Sequence, residues 1–415
     1  MGDYRLELGT AENLNHEPPY FFDIKDRTHH VYIIGRSGMG KSTLLERMAD
    51  YDMQNYPVIF LDPKGESTKK LYFANQDKDI LYISVDNPII INPLRKDGYT
   101  VEQIVDEFFY IIDAFIVATT ATKESTVLMR ELLDHSIRAL NEEDRNVETL
   151  ASFLLYEDVR KEKSRGMKDE FLKKYWSTFD DFESAKNNWK RKNQGKIESA
   201  ARVSSRLFQV CRGGMRPFLF GKNEFDIEEI IRNNKKVLVD TSRLGSDGTA
   251  YLSNLIVYSI ISYCQFKKKI APLFVYVDEF QTVASNFFSE ALEFARGKDV
   301  GFTIAHHNFS QLEKNGLNKA VLGAVLGIVG NYIVFNCGSR ESKEMSDIFG
   351  LSVKDFMSLG KYTAWIKIGG NNTLTMTDPP LIADLPPDFS IPKGVFEENT
   401  HPPTVSYLQD GWIEC

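Results

Sequence analysis

Eight residues set the terms for this chain: Gly35-Arg36-Ser37-Gly38-Met39-Gly40-Lys41-Ser42 follow an apolar run, Val31-Tyr32-Ile33-Ile34, and open a segment of helical periodicity over residues 42–50. The pattern GxxxxGK[ST] between a strand and a helix demands an α/β core. Its glycines let the backbone turn so that successive N–H groups face inward, where phosphate oxygens can accept them. The helix N-terminus adds its positive dipole end at the same place. Lys41 reaches the β and γ phosphates, and the Ser42 hydroxyl is a ligand for Mg²⁺. The expected nucleotide-binding set is Gly35, Arg36, Ser37, Gly38, Met39, Gly40, Lys41, Ser42 and Thr43, with ATP and Mg²⁺ as the bound species.

A second strand-like run, Leu273-Phe274-Val275-Tyr276-Val277, delivers two acids at its end, Asp278 and Glu279. Asp278 is expected to hold the Mg²⁺ together with Ser42, and Glu279 to act as general base on the attacking water. His306-His307-Asn308 follow the next apolar run, and His307 is a candidate for contact with the γ-phosphate or that water. Two adjacent histidines with no third ligand nearby make a poor metal site. Phosphoryl transfer also calls for a cation on the developing charge. Arg296, at an expected helix end, is the first candidate, with Lys298, Arg340 and Arg206 as rivals.

Further buried runs at 57–61, 80–85, 236–240, 301–305, 332–337 and 362–368 alternate with helical stretches and predict a mostly parallel sheet. Residues 98–205 break this grammar: they have few glycines, no proline and helical periodicity, and read as an all-helical insertion. The expected organisation is a lead-in over 1–30, a core made of 31–97 and 206–385, the insertion at 98–205, and an extended tail over 386–415. The insertion ends in a basic stretch in which Lys186, Lys190, Arg191, Lys192 and Lys196 stand against one acid, Glu198. It is a candidate nucleic-acid surface, and a solvated helix face is the alternative. Residues 245–250 are a weaker candidate for a pore loop.

The formal net charge is −8, so a polyanionic partner has to meet a local patch or a channel and not the average field. The four cysteines are widely spaced, without a CxxC pair, which fits reduced thiols in the cytoplasm. No run reaches the roughly 18 apolar residues of a spanning helix, so direct membrane insertion is not expected.

The order of these motifs resembles the HerA–FtsK superfamily of P-loop ATPases, and within it the conjugative type IV coupling proteins without their transmembrane helices. The resemblance rests on the P-loop, on VIFLDPKGE at 58–66, on Ile91-Asn92-Pro93-Leu94, on the strand into Asp278-Glu279, and on ARGKDVGFTIAHHNFSQL at 295–312. It implies a RecA-like fold, a homo-hexameric ring with ATP between subunits, and sequence-tolerant pumping of DNA in transfer, segregation or packaging. It further implies a relaxase-like or membrane-bound partner protein. It places catalytic roles on Lys41, Glu279 and Arg296, and sets His307 where the family carries a sensor glutamine. An ATPase that moves protein, or a regulatory subunit without motor activity, is the competing expectation.

Overall fold

The computed structural model describes residues 5–11, 21–116, 123–185, 188–212, 214–266, 272–284, 286–313 and 318–393. The strands in chain order are β1 (Arg5–Glu7), β2 (Thr10–Ala11), β3 (Phe21–Asp23), β4 (Val31–Ile34), β5 (Val58–Asp62), β6 (Ile80–Ile83), β7 (Phe182–Ala185), β8 (Asn188–Arg191), β9 (Lys236–Asp240), β10 (Leu273–Val277), β11 (Val300–His306), β12 (Asn331–Val334), β13 (Thr363–Ile368) and β14 (Asn371–Met376). Ten of them form one sheet in the order β2-β14-β13-β12-β4-β11-β10-β5-β9-β6. The run from β12 to β6 is parallel, and β13, β14 and β2 add an antiparallel edge. The fold is the expected RecA-like α/β core.

Strict alternation along the strands splits the interior into two layers. Tyr32, Ile34, Ile59, Leu61, Val275, Val277, Phe302 and Ile304 face one side, packed with helix Gly245–Phe266, helix Asn286–Ala295 and the insertion. Val31, Ile33, Val58, Phe60, Phe274 and Tyr276 face the other, under helices Lys41–Met53 and Glu66–Ala74. Because both faces are covered, the strands read as continuous apolar runs and not as alternating ones.

The described residues of 98–205 are mainly helical, but the expectation of helices alone is corrected by β7 and β8, which form an antiparallel pair. Aromatic residues favour a pleated ribbon at this point, and Arg191 lays its guanidinium over the Phe182 ring at 5.4 Å across the pair. The insertion has its own buried ion pair, Arg160 bidentate to Asp180 at 2.8 and 2.6 Å, with two carbonyls of helix Val147–Leu155 accepting from the same guanidinium. Asn92, fully buried, ties the insertion to the core: its amide donates to the carbonyls of Arg145 at 2.8 Å and Gly221 at 2.7 Å.

Residues 245–250, expected as a loop, are instead the first turns of helix Gly245–Phe266. Leu244, Tyr251 and Leu252 are buried on either side of them, and this packing continues the helix to Gly245. The tail up to residue 393 is extended and crosses the outer helices, with Arg47 donating to the Pro379 carbonyl at 2.9 Å and Phe389 edge-on to Phe73. Cys211, Cys264 and Cys337 are free thiols, and Cys415 lies outside the described residues. Among the described residues no helix is long and apolar enough to cross a membrane.

Candidate nucleotide and catalytic site

Four neighbouring strands, β4, β11, β10 and β5, bring their C-terminal ends to one edge of the sheet. The P-loop leaves β4, His306-His307 leave β11, Asp278-Glu279 leave β10, and Asp62-Pro63-Lys64 leave β5. Ligands of open α/β sheets bind in the crevice outside such ends. Register sets the heights. Val277 is level with Leu61 on one side and with Ile304 on the other, so β11 runs past the end of β10 and carries His307 over Glu279.

The loop has the backbone that its glycines permit. Gly38 has φ +77°, with open space where a side chain would begin. Gly40 has φ +114°, and a Cβ there would lie 2.7 Å from the Tyr362 ring. Helix Lys41–Met53 starts immediately after it. The Ser42 hydroxyl donates to Asp278 at 2.7 Å. A hydroxyl and a carboxylate are hard oxygen donors of the kind Mg²⁺ takes, and they already face one another beside the loop. These residues fit the nucleotide and the metal.

Lys41 is buried and donates to the Arg36 carbonyl at 3.0 Å and to His307 Nδ1 at 2.9 Å. The other ring nitrogen, Nε2, lies 2.9 Å from Glu279 Oε1. An ammonium only donates and a carboxylate only accepts, so this bridge puts the ring proton on Nε2. Glu279 also receives the Lys64 ammonium on Oε1 and the Gln281 amide on Oε2. Its φ is +48°, a left-handed value that costs a residue with a side chain. The Thr282 amide and hydroxyl hold that turn by donating to the Glu279 carbonyl at 2.8 and 2.9 Å.

Electrostatics follow from burial and these contacts. Burial pulls Lys41 down to about 8, while Asp278 and Glu279 hold it up and Lys64 pushes it lower. Burial pushes Asp278 above the usual carboxylate range, and the hydrogen bond from Ser42 opposes it. For Glu279 burial also pushes upward, but the hydrogen bonds from His307, Lys64 and Gln281 win and hold it far below the usual range. Glu279 is therefore a carboxylate that accepts hydrogen bonds from three side chains, one of them the Lys64 ammonium.

His306, the neighbour of His307, is buried and serves the scaffold. Its Nδ1 donates to the Asn308 carbonyl at 3.1 Å and its Nε2 accepts from the Tyr32 hydroxyl. Burial brings it down to about 3. Glu341 accepts from the Phe309 amide at 3.0 Å, so both sides of the His307 turn are pinned.

Arg296 is not brought to this site. It is exposed and precedes β11, at the opposite edge of the sheet. β11 has seven residues, so Arg296 lies on the order of 20 Å from the P-loop of its own chain. The described part of the basic stretch is spread over strand β8, the turn at Lys192 and helix Gln194–Val210, and is not one helix face. Arg191 pairs with Asp180 and Glu157, and Lys196 with Glu131 at 2.7 Å. Lys192 is exposed; Lys186 and the side chain of Lys190 lie outside the described residues.

Lys64, Asp62 and Gln281 also belong to the site, and their residue types alone do not single them out. A DPKG turn after an apolar run is visible in the sequence, but only the pairing of β5 with β10 puts that turn beside Glu279.

The family model described as Helicase HerA, central domain, matches residues 6–260. Among solved structures, the bacterial conjugative coupling protein TrwBdeltaN70 superposes with a TM-score of 0.64 at 15% identity, covering 89% of this chain and 87% of that one. VirB4 of Thermoanaerobacter pseudethanolicus gives 0.62 at 13% identity, over 91% and 96%. TrwB in complex with ADP and Mg²⁺ gives 0.60 at 15%, over 85% of each chain. At these identities the likeness is one of fold. The mRNA export factor elf1 of Schizosaccharomyces pombe is 30% identical over 110 residues, 24% of this chain, and the match spans only 10% of that protein. The match to the family model covers well over half of the chain, and the site carries the phosphate loop with its paired acids: the chain belongs to the HerA helicase central-domain family and is a P-loop ATPase.

Proposed function

We propose that this chain is an ATP-driven DNA translocase that works as a ring of identical subunits. The observation that carries the reading is the line Lys41–His307–Glu279, which joins the phosphate-binding lysine to the base through one imidazole. Such a line lets the state of the phosphates be felt at the base, which a coupled motor needs. Bound between Ser42 and Asp278, Mg²⁺ would neutralise the phosphates and draw off charge from the leaving group. Glu279 orients the attacking water and takes its proton. Lys41 and the loop amides hold the β and γ phosphates in line with that water.

The position of Arg296 supports a ring. It is remote from the site of its own chain, so as a finger it acts on the site of a neighbouring copy. The fold neighbour TrwB is a bacterial conjugative coupling protein, and the matched family is named for a helicase; both favour DNA as the track. A DNA track would be gripped through phosphates, tolerant of sequence and weakened by salt. The setting is the cytoplasm, with a relaxase-like or membrane-bound partner protein recruited through the helical insertion.

A second reading has its own support. The net charge is −8, and Arg191 and Lys196 of the basic stretch are paired with carboxylates. These favour an ATPase that handles protein or serves as a regulatory subunit. ATP turnover measured with and without single- and double-stranded DNA, at low and moderate salt, separates the two. Acceleration by DNA that salt abolishes is the expected result. Turnover indifferent to either DNA would remove the translocase and leave the second reading.

A further inference from the structure

The end of β5 supplies a cation for which the P-loop and the acid pair do not account. Lys64 has a side chain that is 51% exposed, yet its ammonium is paired with Glu279, whose side chain is 7% exposed. A half-exposed lysine usually leaves its head in water. Here the backbone aims it inward. Buried Asp62 accepts the Lys64 amide at 2.9 Å and the Thr68 amide at 3.0 Å, closing the turn around residue 64. Gly65 follows with φ +73°, and a Cβ there would lie 2.4 Å from Asp240 Oδ1. The turn thus has one shape, and the shape points Lys64 at the neighbouring strand end.

Two lysines therefore converge on the base. Lys64 touches Glu279 directly, and Lys41 reaches the same oxygen through His307. A base must lie within hydrogen-bond reach of the water that it activates, and that water must lie about 3 Å from the phosphorus that it attacks. A cation on the base is accordingly within one side-chain swing of the γ-phosphate oxygens. Those oxygens gather charge in the transition state. Arg296 cannot supply that charge within its own subunit, because it sits at the other edge of the sheet.

We propose that Lys64 is a second catalytic lysine, supplied by the same chain, whose ammonium moves from Glu279 to the transferred phosphoryl group as the water attacks. This rests on the reading of Glu279 as base. The water oxygen forms its bond to the γ-phosphorus, the bond from that phosphorus to the bridging oxygen breaks, and ADP leaves with the electron pair. The water proton goes to Glu279, which accepts it more readily once Lys64 has left. The exposed stem of Lys64 leaves room for the swing.

The test uses the full chain with Lys64→Met, Lys64→Arg and Glu279→Gln. Steady-state turnover is read beside binding of two probes, a non-hydrolysable ATP analogue and ADP with aluminium fluoride. Lys64→Met is expected to lower kcat by about 100-fold with KM for ATP within about threefold of wild type. It should weaken ADP–aluminium fluoride by a comparable factor and leave the ATP analogue unaffected, while Lys64→Arg recovers part of both losses. Unchanged or increased kcat in Lys64→Met overturns the proposal, as does equal weakening of the two probes. An inactive Glu279→Gln beside a normal Lys64→Met sinks this inference alone. A Glu279→Gln with wild-type turnover sinks the base assignment, and the inference with it.

Discussion

His307, which the resemblance to coupling proteins sets at the place of a sensor glutamine, touches both Lys41 and Glu279 at 2.9 Å. A glutamine can make the same two contacts, because its amide has one acceptor and one donor end. An alanine can make neither. His307→Gln is therefore expected to keep kcat within about tenfold of wild type, whereas His307→Ala should lose about 100-fold, the range for a positioned acid–base partner. KM for ATP should change little in either, since the loop amides and Lys41 still hold the phosphates. Steady-state kinetics on the pair checks this, and equal losses in both variants would deny the bridge a role. The candidacy of His307 is legible from its position after an apolar run, but its direction is not. Both histidines follow that run, and only burial separates them: His306 is enclosed by Tyr32 and the Asn308 carbonyl, and His307 faces the crevice.

At the scale of elements, the insertion is held by a charge pair and not only by its apolar core. Arg160 and Asp180 are buried and bidentate, and Arg191 adds a third contact at 3.2 Å. Removing one partner leaves the other charged and enclosed, which costs about 3–5 kcal/mol. Asp180→Ala should therefore loosen the insertion. Urea unfolding with proteolysis as readout is expected to show cleavage within 98–205 at concentrations where the sheet is intact, and a wild-type cleavage pattern would contradict it. The strand pair β7–β8 and the edge strand β14 are not legible as such. β14 is polar over much of its length and gains its place by pairing with β13 through the Gly369-Gly370 turn. That two-residue turn is a hairpin signal, but it carries no apolar run on its far side to announce a strand.

For the whole molecule, the sheet separates Arg296 from the P-loop by the length of β11. If Arg296 completes the site of a neighbouring copy, then Arg296→Ala and Lys41→Ala each lack activity for different reasons. Mixed subunits contain interfaces with an intact loop on one side and an intact arginine on the other. Mixing the two inactive variants is expected to restore turnover to a substantial fraction of wild type. A mixture as inactive as its components would remove Arg296 from the reaction.

Amino-acid order alone settles the parts of this protein whose physics is local. A phosphate loop needs glycines at set spacing, a buried parallel strand needs an apolar run, and an insertion of helices needs periodicity without proline. Each of these is written in consecutive residues, which is why the core, the P-loop and the acid pair are legible. Whatever depends on strand order is settled only by the folded sheet. The pairing of β5 with β10 sets Lys64 on Glu279, the overhang of β11 sets His307 between Lys41 and Glu279, and the direction of β11 carries Arg296 away. Residues 64, 279 and 307 are far apart in the chain, and no spacing rule links them. They meet because parallel strands end at one edge of one sheet.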